Sequence, residues 1–473
     1  MSLSVLFVFM AQLLIGFGVV IRLRAVTNGF SLLGLAMLTG MGISSGVPIV
    51  LELAHIPIAP GPVFVGLGLS ALASLVLLRG QLLYLRTVFA WRRLAVRWCE
   101  LPFVAFWGYL LFISAWKCAW FPNIPFDTLV GPDLVARYAV REHTLVSSVF
   151  TEHLPSVSVF SNQPFYAPFT AMQQVLYLLT AQETGPFAFG KVWLTGLVVA
   201  FGLFFYAELR ERLHPLLAGT LVTLLACTPE LFVYTFLVQT DWANAAFLTA
   251  GIILLQRYLD LGQRGALISS ALLLALACWT RTETIFFVPI GSLLLVVGNR
   301  LPFSPKKAVA QSSVLLFVCL LPVVFWNYGF LRDYVPLPAN AHLGTLHTVS
   351  GDYFGKLGAV YASMNTQVVF NLDYWNYAVP IFLFLLALNL FLFRNTRGWL
   401  MLVWLVGIYV LFGLIIQHVD GANVPYTFRR GFFKLLFLMY GYLGTTRMAG
   451  WVSDWLYRWE GQTRHLPVAE TAA

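Results

Sequence analysis

Charged residues are scarce in this chain. Asp, Glu, Lys and Arg make up 10% of the 473 residues, whereas hydrophobic residues make up 59%. A soluble globular domain carries about 25% charged residues. The composition therefore excludes an ordinary soluble domain and predicts an all-α protein that crosses the membrane many times. The net charge of +9 does not indicate nucleic-acid binding, because no basic stripe with interleaved aromatic residues stands on a soluble face.

Cysteine is also rare. The five cysteines lie in or beside apolar segments and form no CxxC pair, which indicates small apolar fillers rather than disulfides or metal ligands. Walker, GxGxxG, GxSxG and HExxH motifs are absent, so nothing indicates nucleotide hydrolysis or zinc proteolysis. The first residues lack the basic region and cleavage site of a signal peptide, and we expect them to form a retained helix.

Long apolar runs dominate what is present. A membrane-spanning helix needs about 20 mostly apolar residues. By this rule the chain contains about thirteen spans, at 3–21, 30–53, 61–78, 101–119, 187–207, 215–237, 242–257, 265–280, 284–299, 308–328, 375–393, 399–417 and 431–447.

The sidedness follows from the distribution of charge. Most of the Lys and Arg lie on alternate short loops, and the positive-inside rule makes that face cytoplasmic. We therefore expect a multi-pass protein of the cytoplasmic (inner) membrane, with its N-terminus outside and its C-terminus inside. More than half of the 20 acidic residues lie on or beside the outer face. The rule does not require this excess, so it points to a functional site there.

Four regions are expected along the chain. Residues 1–100 hold N-terminal spans with a basic inner-surface helix near 86–97, and residues 101–300 hold the catalytic core with a long outer loop at 120–186. Residues 301–450 hold the C-terminal spans with an outer loop at 329–374, and residues 451–473 form a short, poorly ordered cytoplasmic tail. Loops as long as 120–186 usually carry function. Its segments 132–143 and 165–181 have the pattern of helices lying in the membrane interface.

Asp127 is the first candidate functional residue. It follows the span 101–119 directly, and Asp133 comes after the break at Gly131 and Pro132. A carboxylate at the mouth of a membrane helix is costly and is usually kept for a function. Such a carboxylate can act as a general base that removes a proton from the hydroxyl or amine of an acceptor substrate. The structural alternative is that Asp133 caps a helix while Asp127 is solvated.

Two further charged groups stand at outer helix ends. Asp241, in QTDWANAAF, precedes the span 242–257 and is either a helix N-cap or a member of the site. Arg281 and Glu283 lie between two apolar runs. They either neutralise one another or place a guanidinium where it can bind a phosphate.

A third group breaks the positive-inside rule. Arg429, Arg430 and Lys434 lie at the outer side of the last predicted span, which predicts an anionic partner such as a lipid headgroup or a pyrophosphate. Lipid anchoring without catalysis is the alternative. His418 and Asp420 are weak metal candidates, because a third ligand is lacking.

The order of these motifs resembles that of the GT-C superfamily of membrane glycosyltransferases. FDTLVGPDLVARYAVREH resembles the first outer loop of the bacterial members, where an early Asp is the catalytic base, and NQPFYAPFTAMQQVLYLLTA resembles the interface helix that follows. QTDWANAAF and TRTE are similar to later loops that face the site. The likeness covers about residues 101–300, with a weaker one at 418–434. Val130, Gly131 and Pro132 depart from the family's pattern before Asp133, so Asp127 and Asp133 both stay open as the base.

The resemblance implies an inverting glycosyltransferase, moving a hexose or pentose from a polyprenyl-phosphate donor at the outer membrane face. The acceptor is a lipid, a glycan or a protein of the cell envelope. The implied roles are Asp127 or Asp133 as base, Asp241, Glu283, Arg137 and Tyr138 at the acceptor, and Arg281, Arg429, Arg430 and Lys434 at the lipid phosphate. No cofactor is assigned, and a divalent metal ion is left open. The alternative function is a transporter or flippase of a lipid-linked or anionic substrate, although such proteins usually hold their ionisable residues near the middle of spans.

Overall fold

The computed structural model describes residues 3–90, 95–123, 126–150, 166–181, 189–297, 305–336, 351–394, 398–419 and 421–461. These residues form helices and turns, with no β-strand among them. The α-helices are α1 (Leu3–Leu23), α2 (Gly29–Ser44), α3 (Val47–Leu53), α4 (Pro60–Val76), α5 (Leu82–Val88), α6 (Leu101–Trp120), α7 (Phe126–Leu129), α8 (Pro132–Glu142), α9 (Phe169–Ala181), α10 (Val192–Arg210), α11 (Pro215–Ala226), α12 (Pro229–Val233), α13 (Asp241–Leu261), α14 (Arg264–Thr280), α15 (Val288–Val297), α16 (Pro305–Val324), α17 (Tyr353–Met364), α18 (Leu372–Trp375), α19 (Ala378–Ala387), α20 (Trp399–His418), α21 (Arg429–Leu443) and α22 (Arg447–Trp459).

The apolar helices confirm a polytopic membrane protein. Within the described ranges, 6 helical segments are long and apolar enough to cross a membrane. They are Leu3–Leu23, Gly29–Leu53, Trp98–Trp120, Val192–Arg210, Pro305–Arg332 and Trp399–His418. Most of the other predicted spans contain shorter or interrupted helices, whereas α13 covers 242–257 without a break but is not among the six, so the total of thirteen stays a prediction. The span predicted at 215–237 is interrupted because α11 ends at Ala226 and Pro229 stands in the first turn of a new helix, α12, where proline is favoured.

The N-terminal helices pack closely through glycine. Gly16 of α1 faces α2, and a Cβ atom there would collide with the backbone of Ala36 and Gly40. A Cβ on Gly40 would in turn collide with the backbone of Gln12. Small residues allow membrane helices this close approach, which increases their van der Waals contact.

The helix predicted within 165–181 forms, but it does not lie in the membrane interface. Every residue of α9 from Phe169 to Thr180 is buried inside the protein. Its polar residues find partners there: Gln173 donates to the Met41 carbonyl at 2.6 Å and accepts from Gln12 at 2.9 Å. Because these polar side chains form hydrogen bonds inside the protein, they do not need contact with water. α9 is therefore part of the core.

Two other surface predictions differ from the structure. Of the basic helix expected near 86–97, the described helical part belongs to α5, which ends at Val88; residues 95–97 are not helical, and 91–94 lie outside the described residues. The tail expected to be poorly ordered after Trp451 is helical as far as Trp459. Ser453 and Leu456 are buried against the rest of the protein, and this packing gives α22 the stability that a short isolated helix lacks.

Helices α13 and α21 form the centre of the molecule. α13 is buried from Asp241 to Leu259, and α21 is buried from Arg430 to Leu443. The two helices pack together and begin at the same end, since Arg430 Nε lies 3.8 Å from the Asp241 carboxylate. Two helix N-termini, each with a partial positive charge, therefore meet at one place.

Candidate active site

A cluster of charged side chains forms where α13 and α21 begin. Asp241 is the first residue of α13, and Arg430 is the second residue of α21. Arg281 directly follows α14, and the 3-10 turn Thr282–Phe286 after it supplies Glu283. The short helix α7, in the loop predicted to be the first outer one, supplies Asp127. Residues distant in sequence thus meet at the ends of helices, where polar side chains can leave the apolar interior.

Asp241 is the most buried carboxylate of the cluster, with 1% of its surface exposed. Arg281 donates a hydrogen bond to one carboxylate oxygen, and Arg430 faces the other at 3.8 Å. Asp241 lies just before the predicted span 242–257. Burial alone would raise the pKa of its carboxyl, but the guanidiniums of Arg281 and Arg430 hold that pKa below its usual range. Asp241 is therefore an anion that orients the two arginines, and its low basicity makes it a poor proton acceptor.

Asp241 does not cap its helix. The N-cap position of α13 is Thr240, and the N-cap of α8 is Gly131. Asp241 and Asp133 each lie within the first turn of their helices. The capping interpretation is therefore wrong for both residues, although their charges still favour the N-terminal end of a helix dipole.

Arg281 makes a two-pronged contact with Glu283. Its Nε lies 2.8 Å from one carboxylate oxygen of Glu283, and its Nη2 donates to the other at 3.1 Å. Tyr166 lies against the same guanidinium, whose carbon is 5.9 Å from the centre of the ring. Burial raises the pKa of the Tyr166 hydroxyl, so the phenol stays protonated and can donate a hydrogen bond.

Lys434 lies one turn further along α21 and is 1% exposed. Its ammonium is 3.7 Å from Glu283 Oε1 and lies over the rings of Phe412 and Phe287, at 5.3 and 5.9 Å. Among the residues that the structure describes, no acceptor lies within hydrogen-bonding distance of this nitrogen. A buried cation without a hydrogen-bond acceptor is costly and favours an anionic ligand.

Asp127 joins the cluster through Arg430, which donates a hydrogen bond to it. The same Nη1 of Arg430 donates to Gln239 Oε1 at 3.1 Å, and Gln239 Nε2 donates to Thr128 Oγ1 at 3.1 Å. Thr128 is the neighbour of Asp127 and donates to the Val238 carbonyl at 2.9 Å. These bonds close a ring that fixes α7 against the segment before α13.

Arg429 forms a second contact group beside the first. Its Nε lies 3.4 Å from Glu230 Oε1, and its Nη1 donates to the Tyr374 hydroxyl at 3.3 Å. The guanidinium also lies over the Tyr374 ring, 5.0 Å from its centre. α18 therefore brings the second outer segment to the same place as the first.

Asp133, Arg137 and Tyr138 lie in a different environment. Asp133 Oδ2 is 2.7 Å from Arg137 Nε, and Gln174 donates to Asp133 Oδ1 at 3.0 Å. Gln174 also accepts a hydrogen bond from Trp193 at 2.9 Å, while Tyr138 is partly buried against the core. The Asp133 side chain is 2% exposed, whereas that of Asp127 is 24% exposed.

The weak metal pair finds no support. His418 Nε2 lies 3.2 Å from the Tyr353 hydroxyl, and Asp420 lies outside the described residues. Within the part of the chain that the structure describes, no group of three or more His, Cys, Asp or Glu side chains could hold a metal ion.

Sequence reasoning missed four residues that contact the cluster: Tyr166, Glu230, Gln239 and Tyr374. Glu230 could have been identified as a candidate from the sequence, because it is a carboxylate inside the predicted span 215–237. Gln239 stands two residues before Asp241 in QTDWANAAF, but an amide alone does not indicate a site. The aromatic residues could not be distinguished from the many others in this chain.

A small apolar cavity of about 30 Å³ lies beside α13 and α21. It lies between α6, α10, α11, α13 and α21, and its lining includes Trp107, Phe201, Leu231, Trp242 and Phe437. Apart from Ser114 and Thr235 the lining is apolar.

Comparison with known families gave one match. Residues 165–326 match the family model of dolichyl-phosphate-mannose-protein mannosyltransferases. The matched range includes Asp241, Arg281 and Glu283, and it confirms the resemblance to the GT-C superfamily. Neither the curated proteins nor the solved structures that were searched gave a match.

Proposed function

We propose that this chain is a membrane glycosyltransferase of the GT-C type, which the family match over residues 165–326 supports, and that it moves a sugar from a polyprenyl-phosphate donor to an acceptor at the outer face of the cytoplasmic membrane, with inversion. One observation carries the proposal. Arg281, Arg430 and Lys434 are buried where two helix N-termini meet, and Asp127 contacts this group from its more exposed side.

The cations are suited to the phosphate of the donor. Arg281 and Arg430 present planar forks that match phosphate oxygens, and the N-termini of α13 and α21 add partial positive charge. Lys434 Nζ and Arg430 Nε form no hydrogen bond to the described residues, so both remain able to donate to a ligand. As the sugar departs, negative charge on the released phosphate grows, and these fixed donors stabilise it.

Asp127 is better placed than Asp133 to act as the base. An acceptor must reach the base, and the Asp127 side chain is 24% exposed against 2% for Asp133. Both oxygens of Asp133 already have partners, Arg137 and Gln174. In the proposed reaction Asp127 takes the acceptor proton while the acceptor oxygen or nitrogen attacks the anomeric carbon and the carbon–phosphate oxygen bond breaks. Asp133 and Arg137 would then hold α8 in place, and Tyr138 would stay near the path of the acceptor.

The test is Asp127→Asn, assayed in detergent for sugar transfer from a panel of polyprenyl-phosphate sugars. Loss of a general base typically lowers the rate by about 10²–10⁴-fold, and donor binding should persist. Asp133→Asn is the matched control and should keep most of the activity. Transfer by Asp127→Asn at the wild-type rate would refute the base. A wild-type protein that transfers no sugar but moves the lipid between vesicle leaflets would favour the flippase.

A further inference from the structure

Helix α22 carries an exposed row of tryptophans. Trp451, Trp455 and Trp459 are 57%, 52% and 78% exposed. They are spaced by four residues, and with 3.6 residues per turn successive members lie about 40° apart around the helix. They therefore form one apolar stripe, which is unusual on a surface in contact with water.

The opposite side of α22 is attached to the protein. Ser453 and Leu456 are buried, and Ser453 Oγ accepts a hydrogen bond from the backbone N–H of His214 at 2.7 Å. Glu460, directly after the helix, lies 3.1 Å from His214 Nε2. The orientation of α22 is thus fixed, and the tryptophans cannot turn inward.

Two arginines flank the stripe. Arg447 and Arg458 are both exposed, and their positions on the helix lie next to each other and beside the tryptophans, away from the buried residues. α22 therefore has three sides, one packed on protein, one aromatic and one basic.

The aromatic side continues the lipid-facing surface of a neighbouring helix. The Trp451 ring lies 6.4 Å from the ring of Phe393. Just before Phe393, Phe391 and Leu392 are 82% and 71% exposed at the end of an apolar helical segment. In a membrane protein such exposed apolar side chains contact lipid. Only residues 444–446 separate α22 from the buried helix α21, so α22 begins where that helix ends.

We propose that α22 lies in the headgroup region of the bilayer, with its tryptophan stripe inserted at the lipid interface and Arg447 and Arg458 directed at lipid phosphates. Tryptophan rings concentrate at this depth because one part is apolar and the indole N–H needs a polar partner. Basic residues beside the apolar face add attraction to anionic lipids. The ligand is the lipid surface itself, and the anchor is independent of the sugar-transfer site.

A spin label on the stripe tests this assignment. Trp455→Cys is made in the full chain carrying Cys99→Ser and Cys227→Ser, since the other three cysteines are buried. The labelled protein is placed in vesicles of phosphatidylethanolamine and phosphatidylglycerol. Collisions of the label with oxygen, which concentrates in lipid, are compared with collisions with a water-soluble nickel complex. Arg458→Cys in the same background is the matched control on the basic side.

We expect the ratio of oxygen to nickel collisions to be several-fold higher at position 455 than at position 458. Changing Trp451 and Trp459 to Gln in the labelled chain should lower the ratio at 455. Equal ratios at 455 and 458 would place the stripe in water and overturn the proposal. A label at 455 that neither reagent reaches would show a protein cover, such as a second copy, and would also overturn it.

Discussion

Removal of the Gln239 amide should slow sugar transfer more than it weakens donor binding. Gln239 accepts from Arg430 at 3.1 Å and donates to Thr128 at 3.1 Å, and it is 5% exposed. It is the link between the arginine that holds Asp127 and the residue that follows Asp127. In Gln239→Leu the shape is roughly kept, but both bonds are lost.

The magnitude follows from the two bonds. A hydrogen bond to a charged group contributes about 1.5–3 kcal/mol, and a neutral one about 0.5–1.5 kcal/mol. We therefore expect Gln239→Leu to lower the free energy of unfolding by about 2–4.5 kcal/mol. Asp127 would lose its fixed position, and a shift of about 1 Å in a reacting group can cost about 10²-fold in rate. A fall in kcat of about 10–100-fold is the expected result.

Thr128→Val is the control, because it removes the neutral hydrogen bonds of Thr128 to Gln239 and to the Val238 carbonyl but keeps the bond between Gln239 and Arg430. Its kcat should fall much less than that of Gln239→Leu. The assay is steady-state transfer with the donor varied, so that kcat and KM separate, together with thermal unfolding of each variant. Lower stability with an unchanged kcat would refute the positioning role. A higher KM for the donor with an unchanged kcat would show that Gln239 acts through the proposed contact of Arg430 with the donor phosphate.

Two further predictions concern buried charge and close packing. Asp241→Asn leaves Arg281 and Arg430 without a shared counterion, and breaking a buried pair costs about 3–5 kcal/mol, measured by thermal unfolding at neutral pH. Because the pKa of Asp241 is held below its usual value, its contribution to stability is present above the unfolded-state pKa of about 3.9 and is lost as the pH falls through the folded-state pKa. The difference between wild type and Asp241→Asn should thus shrink in acid, and a constant difference would show that its charge does not contribute. Gly40→Val should destabilise the packing of α1 against α2, since a Cβ there meets the Gln12 backbone, and overpacking costs about 1–3 kcal/mol. Gly61→Val, where no atom lies near the added Cβ, should have a smaller effect; equal losses would contradict the packing argument.

Charge and hydropathy were enough to predict a polytopic helical protein, and they suggested that Asp127, Asp241, Arg281 and Arg430 share one face; the structure brings these four side chains into one cluster. Each loop lies on one of the two membrane faces, so only a few charged residues remain as candidates for a site on a given face. The pairing of Asp127 with Arg430, 303 residues apart, could not be predicted, because helix packing decides which loops meet. The same packing buries α9. Its sequence has the pattern of an amphipathic helix, but its glutamines form hydrogen bonds with Gln12 and Asp133 inside the protein.

The formal charges of the site cancel, and this affects the order in which the donor binds and the acceptor loses its proton. Asp127, Asp241 and Glu283 stand opposite Arg281, Arg430 and Lys434, so the formal charges cancel before the donor arrives, although Lys434 Nζ has no hydrogen-bond acceptor among the described residues. A donor phosphate adds negative charge, and in the proposed reaction it competes with Asp127 for Arg430. Asp241 is enclosed by two arginines and cannot be displaced in this way, whereas Asp127 is partly exposed and belongs to a four-residue helix. Binding of the donor would therefore release the base at the moment when an acceptor proton has to be removed.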